Sequence, residues 1–301
     1  MFHQWKNTYR LAALLLTLCA NTAYAQLNIF ACEPEWAALT RTLAGDAANV
    51  YSATTAQQDP HHIQARPSLI AKVRRADLLV CTGAELEVGW LPLLLRKSGN
   101  AKIQAGQAGY FMATDHVSLL EKPAVLDRSL GDIHAAGNPH IHLDPYRVQQ
   151  VAEALAITLT TIDPANQKNY RENLQNFNLE WRNAISQWQK QSDKLRGKRI
   201  VVSHNNWVYL EHWLGLERLA VLEPRPGIPP NSKYLAKVLA QLEQNPADMI
   251  LHASYQNDRP ALWLSQKTGL PVVGLDFSPS NKNSLIQWFD GVLNQLLRAE
   301  S

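Results

Sequence analysis

The 301-residue sequence has almost no excess of charge of either sign, with 29 lysines and arginines against 26 aspartates and glutamates. Such a balance implies no partner of strong opposite charge. With no basic stripe and no interleaving of aromatic and basic residues, nucleic acid is not a favoured partner. Long hydrophobic runs are also missing: LAALLLTLCA, residues 11–20, is about half the ~20 apolar residues that cross a bilayer. No H-E-x-x-H helix of a zinc protease is present. Cysteine is scarce, at three residues, and the stretch 164–196 has no glycine and a proline only at its start.

What is there begins with an export signal. Residues 1–10 carry Lys6 and Arg10 and no acid, the short apolar run follows, and Ala23-Tyr24-Ala25 supplies the small residues of a cleavage site before Gln26. An uncleaved anchor is the alternative. Cys19 follows Leu18 rather than a small residue, which disfavours lipid attachment. Losing Lys6 and Arg10 takes the formal charge from +3 to +1. Cys32 and Cys81 remain, each ending an apolar run (LNIFAC, ADLLVC), where adjacent parallel strands would bring them close. Export permits a disulfide, and free buried thiols are equally compatible.

Apolar runs alternate with amphipathic segments: LNIF and a helix from Trp36, DLLVC and Leu86 onward, RIVVS and Trp207 onward, DMILHA and 260–268, PVVGL and 284–297. That alternation predicts parallel sheets covered by helices, an α/β fold. The plan repeats. NIFACEPEWAAL aligns with RIVVSHNNWVYL, and Ala76-Asp77 with Ala247-Asp248, both at an offset of 171 residues. Between the halves, Tyr170, Leu174, Phe177, Trp181, Ile185, Trp188 and Leu195 form one apolar stripe at three- and four-residue steps, so a single long helix ending at Gly197 is expected. The resulting organisation is a signal at 1–25, an N-terminal lobe at 26–163, a linking helix at 164–196 and a C-terminal lobe at 197–301.

The histidines fall where such a fold binds ligands. GNPHIHLDP (137–145) places His140 and His142 in the entry to a helix that Asp144 caps and Pro145 starts, with Val148, Val151, Leu155, Leu159 and Ile162 on its apolar face. In extended chain the two side chains share a side, unless a bend separates them. His61 and His62 stand in a polar loop after the strand-like VYSATT. His204 follows RIVVS and Asp276 follows PVVGL, at the strand ends that line the crevice of a parallel sheet. Three imidazoles and one carboxylate from different strand ends suit a borderline cation such as zinc.

Through DPH (59–61), NPHIHLDP (138–145) and VSH ahead of an aromatic-bearing helix (202–204), the mature chain resembles the zinc/manganese solute-binding proteins of bacterial ABC importers, cluster A-I. The resemblance implies two similar lobes, each with a mostly parallel four-stranded sheet, a rigid connecting helix and a metal ion in the interlobe cleft. It implies a periplasmic, monomeric binding protein, not an enzyme, that delivers its ion to a membrane permease. His61, His140, His204 and Asp276 are the implied ligands, with Glu223 or water as alternatives in the fourth place. Zinc is preferred to manganese because nitrogen donors suit it.

The sequence departs from the family in several places. His142 stands where an aromatic is common and reads as a spare or supporting ligand. Asn205 replaces a usual aspartate. No long histidine-rich loop is present, and His134 reads as a loop residue near the cleft. His62 is expected to point away from His61, and His212 and His252 to lie outside the site. The proline-rich LEPRPGIPPNS (222–232) reads as a stiff connection or a cleft rim. Two other functions compete: a secreted metal-dependent hydrolase, since HIHLD begins an H-x-H-x-D-H pattern that Pro145 breaks, and a metal-containing surface adhesin.

Overall fold

The computed structural model describes residues 26–123, 134–281 and 283–300. The expected signal, 1–25, lies outside them. Two four-stranded sheets, all parallel, form the frame. The first has the order β2-β1-β3-β4, with β1 Leu27–Ala31, β2 Ala48–Ser52, β3 Leu78–Cys81 and β4 Tyr110–Met112. The second has the order β6-β5-β7-β8, with β5 Arg199–Val202, β6 Glu217–Val221, β7 Met249–Ala253 and β8 Val272–Leu275. The two orders are the same once the first sheet's strands are renumbered.

The repeat holds to the residue. Ile29 pairs with Leu78 and Ile200 with Met249, so the register of the central pair is preserved at the 171-residue offset. At each central strand an aspartate repeats the same device. Asp77 Oδ2 accepts from the Asn28 amide at 3.0 Å, and Asp248 Oδ2 from the Arg199 amide at 2.6 Å. An acidic residue just ahead of a strand thus satisfies an amide near the start of its neighbour. The edge strands β4 and β6 are not apparent in the alternation of runs.

Helices cover the sheets. In the first half these are α1 (Pro34–Ala44), α2 (Pro67–Arg75) and α3 (Leu91–Ser98), each with a proline in its first turn, where no amide is required. Then α4 (Pro145–Ile162) starts at Asp144, whose side chain accepts from the Tyr146 and Arg147 amides. Its expected face is buried at Val148, Val151, Leu155 and Leu159, and half-buried at Ile162. The linking helix α5 (Gln167–Ser192) is about 39 Å long, with short 3-10 turns at Pro164–Asn166 and Asp193–Leu195. The second half adds α6 (Val208–Leu214), α7 (Ser232–Gln244), α8 (Arg259–Thr268) and α9 (Leu285–Glu300). Among the described residues no helix is long and apolar enough to cross a membrane.

Residues Tyr170, Phe177, Trp181, Ile185 and Trp188 turn one stripe of α5 into a core that takes in both halves. Trp181 donates to the Pro145 carbonyl at the start of α4 and packs edge-on against Phe289 of α9, while Trp188 donates to Asp290. One helix therefore bolts α4 of the first half to α9 of the second.

Cys32 and Cys81 continue the in-register pairing of β1 and β3, their Cα atoms 4.8 Å apart, and form a disulfide. Both are fully buried. The bond joins residues 49 apart in sequence. Closing a loop of that size restricts the unfolded chain, so reduction is expected to lower the unfolding free energy by about 2–4 kcal/mol. Chemical denaturation with and without a strong reductant measures it, and coincident curves would contradict the prediction.

Candidate metal centre

An imidazole can bind a cation through one nitrogen when the other carries the proton, and an acceptor oxygen beside that other nitrogen fixes which is which. Two of the motifs build this in locally. In Asp59-Pro60-His61, Asp59 Oδ1 accepts from both the His61 amide, at 3.0 Å, and Nδ1, at 2.8 Å. In Asn138-Pro139-His140, Asn138 Oδ1 accepts from the His140 amide at 3.1 Å and from Nδ1 at 2.8 Å. Asn138 Nδ2 donates to the Asn205 carbonyl, which fixes the amide's orientation. An Asx residue two positions ahead of a histidine, with a proline between to hold the turn, therefore leaves Nε2 as the acceptor nitrogen.

His204, just beyond β5, is oriented by a residue distant in sequence. Glu223 Oε2, beyond β6, lies 2.6 Å from its Nδ1 and also accepts from the Gly227 amide. Glu223, an alternative ligand on sequence grounds, thus has its carboxylate occupied behind the histidine.

The rings converge. His61 stands 5.5 Å from His140 and 5.9 Å from His204 between ring centroids, and His140 stands 6.3 Å from His204. A fourth imidazole joins them: His134 lies 5.4 Å from His61 and 6.3 Å from His140. Among the described residues the one group of three donors all within 4.8 Å of one another is Cys32, Cys81 and Glu87. Its two sulfurs are joined to each other in the disulfide, so that group is not a cation site. Phe277 packs edge-on to His140 and to Trp207 and Tyr255, giving the cleft an apolar floor. A cavity of ≈ 170 Å³ opens on one side, lined by His134, His140, His204 and Pro226, and one of ≈ 280 Å³ on the other, lined by His61, His204, Pro229 and Pro230. The proline-rich loop 222–232 thus contributes to the walls of both.

Other residues singled out in the sequence lie around this cluster. The backbone bends after His140 into a 3-10 turn at Ile141–Leu143, which gives the two rings different partners while their centroids stay 6.5 Å apart. His142 Nε2 donates to the Phe277 carbonyl at 3.0 Å, and its Nδ1 faces Glu35 at 3.5 Å, so His142 ties the two halves beneath the site. Asp276 directly follows β8; it is exposed, and its Oδ1 accepts from the Ser254 hydroxyl at 3.0 Å. His62 is exposed beside His61. His134, expected as a loop residue near the cleft, stands beside His61, and its signal in the sequence is a position a few residues ahead of the NPH motif.

Electrostatics follow from burial. The His140 side chain is almost completely enclosed, and its Nε2 has no hydrogen-bond partner. Burial, reinforced by the surrounding imidazoles of His61, His134, His204 and His142, holds its pKa well below the ordinary histidine range. For Asp59, burial pushes the carboxyl up, but its bonds to His61 outweigh this and leave it below the ordinary aspartate value. The unfolded chain protonates a histidine near pH 6.5, whereas folded His140 stays neutral, so its contribution to stability is lost as pH falls below about 6.5. The unfolding free energy in the presence of a chelator is therefore expected to fall less steeply between about pH 6.5 and 5 in His140→Asn than in the wild type. Equal slopes from denaturation at several pH values would contradict this.

Comparison with known proteins agrees with this geometry. At 25% identity over 277 residues, 90% of this chain and 87% of the relative, the chain is similar to the manganese ABC transporter substrate-binding lipoprotein PsaA of Streptococcus pneumoniae. It is 24% identical over 266 residues to the zinc-binding lipoprotein AdcA of the same species, covering 86% of this chain and 52% of AdcA. A crystal structure of ZnuA superposes with a TM-score of 0.75 at 22% identity, covering 92% of this chain and all of the other, and so shares its fold. The family model described as "Zinc-uptake complex component A periplasmic" (ZnuA) matches residues 29–299. Two parallel sheets on one helical spine, histidines gathered between them and a match over nearly the whole chain place this protein in the ZnuA family of metal-binding components of ABC importers, which are transport proteins and not enzymes.

Proposed function

We propose that this protein captures Zn²⁺ in the periplasm, as a monomer, and delivers it to the membrane permease of an ABC importer. The proposed ligands are Nε2 of His61, His140 and His204. The observation that carries the reading is that each of these rings has its Nδ1 against a side-chain oxygen, from Asp59, Asn138 or Glu223, so that the ligating nitrogens are fixed before the ion arrives. Asp276, tied to Ser254, is left out of the proposed set. Relatives named for manganese and for zinc both exist. Zinc is favoured here by the donors: imidazole suits it, and manganese is better served by carboxylates.

Delivery requires the affinity to drop. His61 and His140 come from the first half and His204 from the second, so a shift of one half against the other on docking would pull the rings apart. No step of bond making on the ion is needed.

Native mass spectrometry of the secreted protein tests the reading. One zinc per wild-type chain and none in His140→Ala is expected. A wild type that takes up no zinc, or two ions per chain with turnover of a simple ester, would sink it in favour of another function.

A further inference from the structure

We infer that His134 is the fourth nitrogen donor, so that four imidazoles and no carboxylate hold the ion. This rests on the reading of His61, His140 and His204 as the metal-binding trio. Nε2 of His134 lies 3.3 Å from Nε2 of His61. Two nitrogens bound to one tetrahedral zinc at about 2.0–2.1 Å are separated by about 3.3 Å. The proton positions make that approach informative. His61 Nδ1 donates to Asp59, and His134 Nδ1 lies 3.0 Å from the Ala84 carbonyl, an oxygen that can only accept. With both Nδ1 protons committed, neutral rings present two lone pairs to each other, an arrangement that a shared cation satisfies.

His134 is held there by a built platform. Gly83, Ala84 and Glu85 follow one another at φ +86°, +46° and +66°. The latter two adopt a conformation that L residues rarely take and that persists only where the surroundings impose it. Here the buried Glu87 carboxylate imposes it, accepting from the Thr82 and Gly83 amides. The resulting turn aims the Ala84 carbonyl at His134 and the Glu85 carboxylate at the Ala135 amide, 3.1 Å away. Past His134, Gly137 has φ +125°, and a Cβ there would lie 2.8 Å from the Leu120 carbonyl. That same carbonyl accepts from the Asn138 amide. Two backbone constraints thus direct the histidine at the trio, while Asp276 remains on Ser254.

An all-nitrogen set discriminates between ions: it keeps zinc and disfavours manganese, which prefers oxygen. His134 is then a specificity-determining ligand of this chain.

The test is zinc and manganese affinity by competition titration, together with X-ray absorption of the zinc-loaded protein, which counts imidazoles, for the wild type, His134→Ala, Asp276→Ala and His140→Ala. Four imidazoles are expected in the wild type and three in His134→Ala. Loss of an orienting partner alone weakens metal binding about 10–100-fold, so zinc affinity should fall at least that far in His134→Ala. Manganese affinity should change less, narrowing the preference, and Asp276→Ala should match the wild type. An unchanged imidazole count and affinity in His134→Ala, or a wild-type site with three imidazoles whose zinc affinity collapses in Asp276→Ala, would overturn the proposal. Zinc lost in His140→Ala but retained in His134→Ala removes only His134. Zinc retained in His140→Ala removes the trio and this proposal with it.

Discussion

A histidine ring is ambiguous until something decides which nitrogen bears the proton, and the whole cleft is organised around that decision. Asp59, Asn138 and Glu223 each place an oxygen against an Nδ1 atom, leaving the opposite nitrogen of each ring as the acceptor. Because the orientation is already fixed, binding need not order the rings, which removes part of the entropic cost of association. Burial completes the arrangement at His140, where the neutral form is the one the site can tolerate. The same logic accounts for the place of Glu223, whose oxygen is bonded to His204 and Gly227.

Rings drawn from two halves of a chain stay in register only if the halves do. The long helix α5 supplies the stiffness, its aromatic stripe reaching α4 through Trp181 and α9 through Phe289 and Asp290. His142 adds a second tie, from the entry of α4 to the carbonyl of Phe277. Both ties resist displacement of one half against the other.

A polar strap crosses the cleft beside His204. Asn205 Nδ2 donates to Glu121, its Oδ1 accepts from Arg218, and Arg218 also pairs with Glu121 at 2.6 Å. The backbone carbonyl of Asn205 accepts from the Asn138 side-chain amide, so the residue after His204 touches the residue that orients His140. An aspartate, usual in the resembling family, could accept from Arg218 but could not donate to Glu121. Asparagine does both, which gives this departure a physical reason. Glu211, behind Arg218, has its carboxyl pushed up to about 7 by burial, despite the opposing pull of that guanidinium.

Local chemistry made much of this legible in the linear chain. Runs of β-branched and leucine residues, proline-started helices, an unbroken aromatic stripe and a 171-residue repeat specify elements by short-range rules, and the structure has the two sheets and the spine they imply. His61 and His140 were legible for the same reason, since each is oriented by a residue two places away. The pairing of Cys32 with Cys81 was not, because neighbouring strands permit contact without requiring a bond. Nor was the choice between His134 and Asp276 as a neighbour for the trio. Both stand in suitable sequence positions, and what separates them is a left-handed turn at Ala84–Glu85 and a serine hydroxyl at Ser254, contacts made between segments far apart in sequence. The sequence by itself determined the lobes, the spine and the locally oriented histidines. The tertiary structure decided which distant side chains complete the cluster, because a hydrogen bond between remote segments exists only once the chain has folded around it.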